Sequence, residues 1–165
     1  MKNIKFFNLL IIIALALTYN VAKSQTSYNF SDGLNTAKSS GKIAVVGICI
    51  PGDNWCGKMD AVYSAGNISG LLNSNFVFIK LNAQGTEVYK YNGKDYKASE
   101  LAKLFESTGY PSHAFLGSDG SILKFKYNGE LQSSFSGYLE AGDFEKLLNF
   151  FSSGKYKNSD LSKEL

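Results

Sequence analysis

The chain has 165 residues, 44% of them hydrophobic and 14% aromatic, which is enough apolar material for one domain with a real core. All 17 basic residues are lysine against 14 acids, and three of them, Lys2, Lys5 and Lys23, fall in the first 24 residues, which hold no acid. The remainder therefore carries 14 lysines against 14 acids, and a neutral body without a basic run offers no footprint for nucleic acid or anionic lipid.

Residues 1–24 have the form of a secretory signal peptide. Lys2 and Lys5 make a positive leader, Phe6 to Leu17 is an apolar run broken only by Asn8, and Ala22 and Ser24 place small residues where a signal peptidase reads, with Gln25 as the mature start. The apolar run is about a dozen residues, short of the ~20 that span a bilayer, so no integral membrane span is expected after cleavage. No cysteine follows the run to carry a lipid. Export to the periplasm or beyond places both cysteines, Cys49 and Cys56, where disulfides persist.

The mature chain divides into a domain over residues 25–157 and a C-terminal tail over 158–165. Ser31 is placed to cap a short helix over 32–39, ended by Gly41. Lys42 to Ile50 is a continuous apolar, β-branched run, the pattern of a strand buried on both faces, and Pro51-Gly52-Asp53-Asn54 breaks it. Cys56 opens a helix to about Ala65, and 69–73 continues the helical layer. Residues 76–81 form a second buried strand. Between 87 and 96, Asn92-Gly93 sits amid aromatic and polar alternation, a hairpin signal. Ser99 caps a helix through Glu106. Strands over 112–116 and 121–127 are expected to join across Gly117-Ser118-Asp119-Gly120, and a last helix over 141–152 buries Phe144, Leu147, Leu148 and Phe151. Buried strands alternating with helices imply a parallel core, and the closing hairpin adds an antiparallel edge: an α/β fold with a mixed central sheet between helices.

With Trp55-Cys56-Gly57 opening a helix after a buried strand, and Gly109-Tyr110-Pro111-Ser112 before a later one, the chain resembles the thioredoxin superfamily. Within it, the extracytoplasmic thioredoxin-related proteins are the most similar, through Lys58-Met59-Asp60, the segment from Tyr91 to Leu104, and Gly137-Tyr138-Leu139 followed by Phe144 to Leu148. The resemblance covers residues 28 to 157 and implies a thioredoxin-like three-layer fold. It also implies thiol-disulfide exchange with a thiol- or disulfide-bearing client protein, without a cofactor. In that chemistry the attacking species is a thiolate, which a helix N-terminus stabilises, and Cys56 is placed for it. The resemblance implies that Trp55 covers one side of the sulfur. It further implies that Pro111 follows a cis peptide bond, and that Trp55, Tyr110 and Pro111 form a surface on which an extended client adds as a strand.

The departure from the family is equally specific. Relatives carry Trp-Cys-x-x-Cys-Lys-x-Met, whereas here Trp55-Cys56 runs directly into Gly57-Lys58-Met59, so the resolving cysteine that normally releases the client is missing from the motif. Cys49, seven positions earlier, is the only other thiol. Three arrangements are open on sequence alone: a Cys49–Cys56 disulfide, structural or redox-active; Cys56 as a lone exposed thiol with Cys49 buried in the strand; and two inert cysteines. His113, the only histidine, either faces the active site as a proton carrier or packs in its strand. Asp60, at i+4 from Cys56, is either a pKa-setting neighbour or a solvated helix carboxylate. Tyr89, Tyr91 and Tyr96 either cover the core edge or form a binding patch. No metal-ligand spacing appears. Two functions follow: a cell-envelope redox protein working through Cys56, or a redox-inactive module that binds a polypeptide through the Trp55/Tyr110-Pro111 surface.

Overall fold

The computed structural model describes residues 25–165, and the signal-like segment lies outside the described residues. Chain order is β1 (Ser27–Tyr28), α1 (Phe30–Ser40), β2 (Ile43–Cys49), α2 (Asn54–Ser64), α3 (Gly66–Asn75), β3 (Phe76–Asn82), β4 (Val88–Tyr91), β5 (Lys94–Lys97), α4 (Ala98–Leu104), β6 (Ser112–Leu116), β7 (Phe125–Tyr127), β8 (Glu130–Gln132), β9 (Ser134–Ser136) and α5 (Ala141–Ser152). Five strands form the central sheet in the order β1-β3-β2-β6-β9. β2 and β3 run parallel from Ile43↔Phe76 to Cys49↔Asn82, and β6 turns antiparallel to β2.

The apolar run of β2 is continuous because both faces of the sheet are covered. Side chains alternate across a strand. Val45, with Phe76, Phe78 and Phe115, faces a layer made by Met59, Val62 and Tyr63 of α2, Ile68 and Leu72 of α3, and the Phe144–Phe151 stripe of α5. Ala44, Val46 and Ile48 face the other way, against Phe30 and Ala37 of α1 and Ala98, Leu101 and Ala102 of α4. Three layers result, with helices on both faces of a mixed sheet.

Local signals held for most elements and shifted at their ends. α1 is capped by Asn29, whose side chain accepts the Asp32 N–H at 2.9 Å, rather than by Ser31, and it ends at Gly41 in the left-handed region. α4 starts after Lys97, whose N–H donates to Glu100 Oε2 at 2.7 Å, rather than at Ser99. The Asn92-Gly93 hairpin forms, both residues having positive φ.

The closing hairpin differs from expectation. Residues 121–124 contribute only a bridge from Ile122 to Leu116, and β7 instead pairs with β8 across Asn128-Gly129. Two adjacent positive-φ residues favour a tight two-residue turn, so the later signal takes the strand. β6, buried at every position, takes β9 as its second partner, and the serines of β9 give it little strand signature. Residues 158–165 also pack: Leu161 is fully buried, and the Asp160 carboxylate accepts the N–H groups of Asn128, Gly129 and Ser162.

Candidate functional site

The site is built at the C-terminal end of β2. Cys49 closes that strand, and the chain turns through Pro51-Gly52, with Gly52 at φ +78°, into α2. Asp53 caps the helix by accepting the Cys56 N–H at 2.8 Å. The helix therefore begins at Asn54, and Cys56 is its third residue rather than its first. This turn brings the Cα atoms of Cys49 and Cys56 to 5.8 Å, within disulfide range, and the two are disulfide-bonded. Of the three arrangements open on sequence, the pairing is the one present. The lone exposed thiol is corrected on both counts: Cys56 is only 6% exposed, and Cys49, at the strand end, is half-buried rather than enclosed.

Both cysteines line a cleft of about 460 Å³ between α2 and the ends of β2 and β3. Its other walls include Gly47, Asp60, Tyr63, Lys80 and Asn82. The register explains the opening. Gly47 lies beside Lys80 and Cys49 beside Asn82, so the apolar stripe of Val45 and Phe78 gives way to a residue without a side chain and to two polar ones. A Cβ on Gly47 would sit 3.0 Å from the Tyr63 hydroxyl and 3.1 Å from the Phe78 ring, so both rings pack closely over this glycine.

Lys80 Nζ lies 2.6 Å from Asp60 Oδ1 on the cleft wall, with side-chain exposures of 47% and 58%. Asp60 is thus ion-paired rather than simply solvated. Beneath it, Tyr63 Oη and His113 Nε2 are 2.7 Å apart and buried, while His113 Nδ1 has no partner. Burial holds the His113 pKa down at about 3, so the ring is neutral at physiological pH; burial and the Asp60 charge push Tyr63 well above the ordinary phenol range. His113 does not line the cleft. It packs at 4.9 Å from the Phe144 ring, as a core side chain.

Trp55 points elsewhere. Half exposed, it packs on Tyr138 at 5.4 Å between ring centroids, with Lys58 Nζ 4.1 Å from its ring. The adjacent Gly137 N–H donates to Pro111 O at 2.8 Å, so the 137–138 segment links Trp55 to the Pro111 loop. The Tyr110–Pro111 peptide bond is cis. The loop is tied to β9 through hydroxyls: Ser112 to Ser136 at 2.8 Å, Ser107 to Ser112 at 2.9 Å, and Thr108 N–H to Ser136 Oγ at 3.1 Å. Tyr110 packs against the α1/α4 side of the core. Trp55, Tyr110 and Pro111 do not line the cleft.

Tyr89, Tyr91 and Tyr96 cover the core edge. Tyr91 packs against Phe30 and Phe105 and donates its hydroxyl to Gly120 O at 2.7 Å. Among the described residues there is no cluster able to hold a metal ion, and no helix long and apolar enough to cross a membrane. Sequence reasoning missed Gly47 and Lys80 as site residues. The only signal for either was a lysine and a glycine inside otherwise apolar strand runs.

No family model matches the sequence, and no curated protein does. Solved structures do match. A DsbH oxidoreductase superposes with a TM-score of 0.61 at 12% identity, over 82% of this chain and 90% of its own. A thioredoxin-fold protein from Helicobacter pylori gives 0.57 at 14%, over 76% and 80%. A thioredoxin from Thermus thermophilus gives 0.55 at 20%, over 78% and 88%. At these identities the likeness speaks to architecture, and it establishes that the chain has a thioredoxin-like fold.

Proposed function

We propose that this chain is an exported thiol-disulfide exchange protein of the cell envelope, which cycles Cys49 and Cys56 between dithiol and disulfide. The observation that carries the reading is the pairing itself: a cysteine in the first turn of a helix, bonded to one at a strand end, with both facing an open cleft. Cys49 takes the part of the thiol missing from the Trp-Cys-x-x-Cys pattern. The helix N-terminus favours a thiolate at Cys56 once the bond opens, which makes the disulfide reducible. The structural neighbours, a DsbH oxidoreductase and a thioredoxin, support the same class of chemistry. Trp55, Tyr110 and Pro111 would supply the docking surface for a client polypeptide.

The test is equilibration of the mature protein in thiol-disulfide buffers of graded potential, with free thiols counted by alkylation and insulin reduction measured alongside. A reversible two-thiol transition with insulin turnover is the expected result. A disulfide that only denaturation opens sinks the redox reading. That outcome would leave a structural staple in a binding module, a reading favoured by the half-exposed Trp55 against Tyr138.

A further inference from the structure

Resting on that redox reading, we propose that Tyr63 donates a hydrogen bond into the cleft, to the sulfur of Cys49 once the disulfide is reduced. His113 acts through Tyr63, as the positioning residue that turns the phenol hydrogen toward the cleft.

The arrangement is a row across the sheet. Gly47 of β2 is flanked by His113 of β6 on one side and Lys80 of β3 on the other. The Tyr63 hydroxyl stands over the glycine, 3.0 Å from where a Cβ would be. From the β6 side, His113 Nε2 reaches that oxygen at 2.7 Å. On the β3 side, Lys80 Nζ lies 5.9 Å from the Tyr63 ring, and there the cleft begins. Gly47 and Tyr63 both line it, together with the two cysteines.

The histidine decides which way the hydrogen points. His113 is fully buried, and its Nδ1 has no hydrogen-bond partner among the described residues. A neutral imidazole carries one N–H. Placed on Nδ1, that N–H would be buried without an acceptor, the rarer kind of orphan. Placed on Nε2, it donates to Tyr63 Oη and leaves only a bare lone pair on Nδ1. Tyr63 Oη is then the acceptor toward His113, so its own hydrogen turns the other way, over Gly47 toward β3.

Cys49 lies two residues beyond Gly47 on the same face, a rise of about 6.6 Å. The cysteine side chain shortens that span, which is closed directly or across one water. Charge in the cleft does not favour a thiolate, because Asp53 and Asp60 stand against Lys80, itself paired to Asp60. An uncharged donor escapes that opposition. Burial and the Asp60 charge push the phenol well above its ordinary range, so Tyr63 donates without losing its proton.

When a client dithiol reduces the protein, two electrons pass to the Cys49–Cys56 bond and the client becomes a disulfide. Of the client's two protons, one stays on Cys49 and one goes to solvent. Cys56, in the first turn of α2, keeps the negative charge. Cys49 S–H then donates to the Cys56 thiolate while Tyr63 O–H donates to Cys49 Sγ, each link polarising the next.

His113 is the only histidine, so nitrogen NMR of the oxidised mature protein with isotope-labelled histidine reads its tautomer without any variant. The Nε2–H form is expected, and the Nδ1–H form overturns the proposal. The companion measurement is the equilibrium with dithiothreitol and the thiolate pKa from ultraviolet absorbance. Tyr63→Phe keeps the ring over Gly47 and leaves Asp53, Asp60 and Lys80 in place. It should lower the equilibrium constant for reduction about tenfold and raise the thiolate pKa by about one unit, the scale of one charge-assisted hydrogen bond. His113→Leu should shift both in the same direction, and His113→Gln, which restores an N–H donor, should recover them. Phe144→Leu, which changes the packing on both rings but removes no hydrogen bond, should move neither. A wild type that reduces reversibly with no shift in Tyr63→Phe, or an equal shift in Phe144→Leu, overturns the proposal and leaves the redox reading intact. Failure of dithiothreitol to reduce the native protein overturns both.

Discussion

One face of the central sheet is packed solid at one end and hollow at the other. Around β6 and α5, Phe115 stacks on Phe151 at 3.6 Å and 5°, and Tyr63, His113 and Phe144 fill the space beside them. Two and four residues further along β2 and β3 from Val45 and Phe78, the same face presents Gly47, Lys80, Cys49 and Asn82, and a cleft opens. The backbone pairing is uninterrupted between the two regions, so side-chain size and charge alone make the difference. Close packing holds the scaffold, and its deliberate absence exposes a disulfide.

The contrast can be broken from either end. The largest effect belongs to the packed end: Phe115→Ala should cost about 3–5 kcal/mol in urea unfolding, because the stacked partner Phe151 cannot fill the space. A cost below 1 kcal/mol would mean that the layer is loosely packed. The disulfide comes next. Its bridged residues are seven apart, a short loop whose closure should contribute about 2–3 kcal/mol, measured as the difference between oxidised protein and the Cys49→Ser/Cys56→Ser variant.

The buried histidine gives a pH signature at the packed end. His113 stays neutral in the folded chain, while the unfolded chain takes up a proton below about 6.5. Stability is therefore complete above that pH and is lost as the pH falls from about 6.5 towards about 3, at up to about 1.4 kcal/mol per unit. His113→Gln should flatten that slope, and an unchanged slope would assign it to other groups. The smallest effect belongs to the hollow end. Lys80→Gln and Asp60→Asn should each shift stability by less than about 1 kcal/mol, since the pair is half exposed. A larger loss would make the pair a structural support of the cleft rather than a wall that a ligand can rearrange.

How legible each region was follows from where its determinants lie. The packed layer announces itself locally, through the apolar runs at 42–50 and 76–81 and the Phe144–Phe151 stripe, which became β2 and β3, with ends shifted by a residue, and α5. The helix starts moved by two residues, because Asn29, Asp53 and Glu100 supply the side-chain acceptors for the free amides of Asp32, Cys56 and Lys97. The strands β8 and β9 were invisible, being three residues each and rich in polar side chains.

The site divides in the same way. The family resemblance pointed to Cys56, Trp55, Tyr110 and Pro111, and the cysteine count left Cys49 as the one possible partner for Cys56. Sequence separation could not say whether two cysteines seven residues apart meet; the Asp53 cap and the Pro51-Gly52 turn decide that, by fixing where the helix starts. Nor could it show that the disulfide looks into a cleft rather than toward Trp55. That outcome depends on Gly47 and Lys80 lying side by side on neighbouring strands, a register set only when β2 and β3 pair.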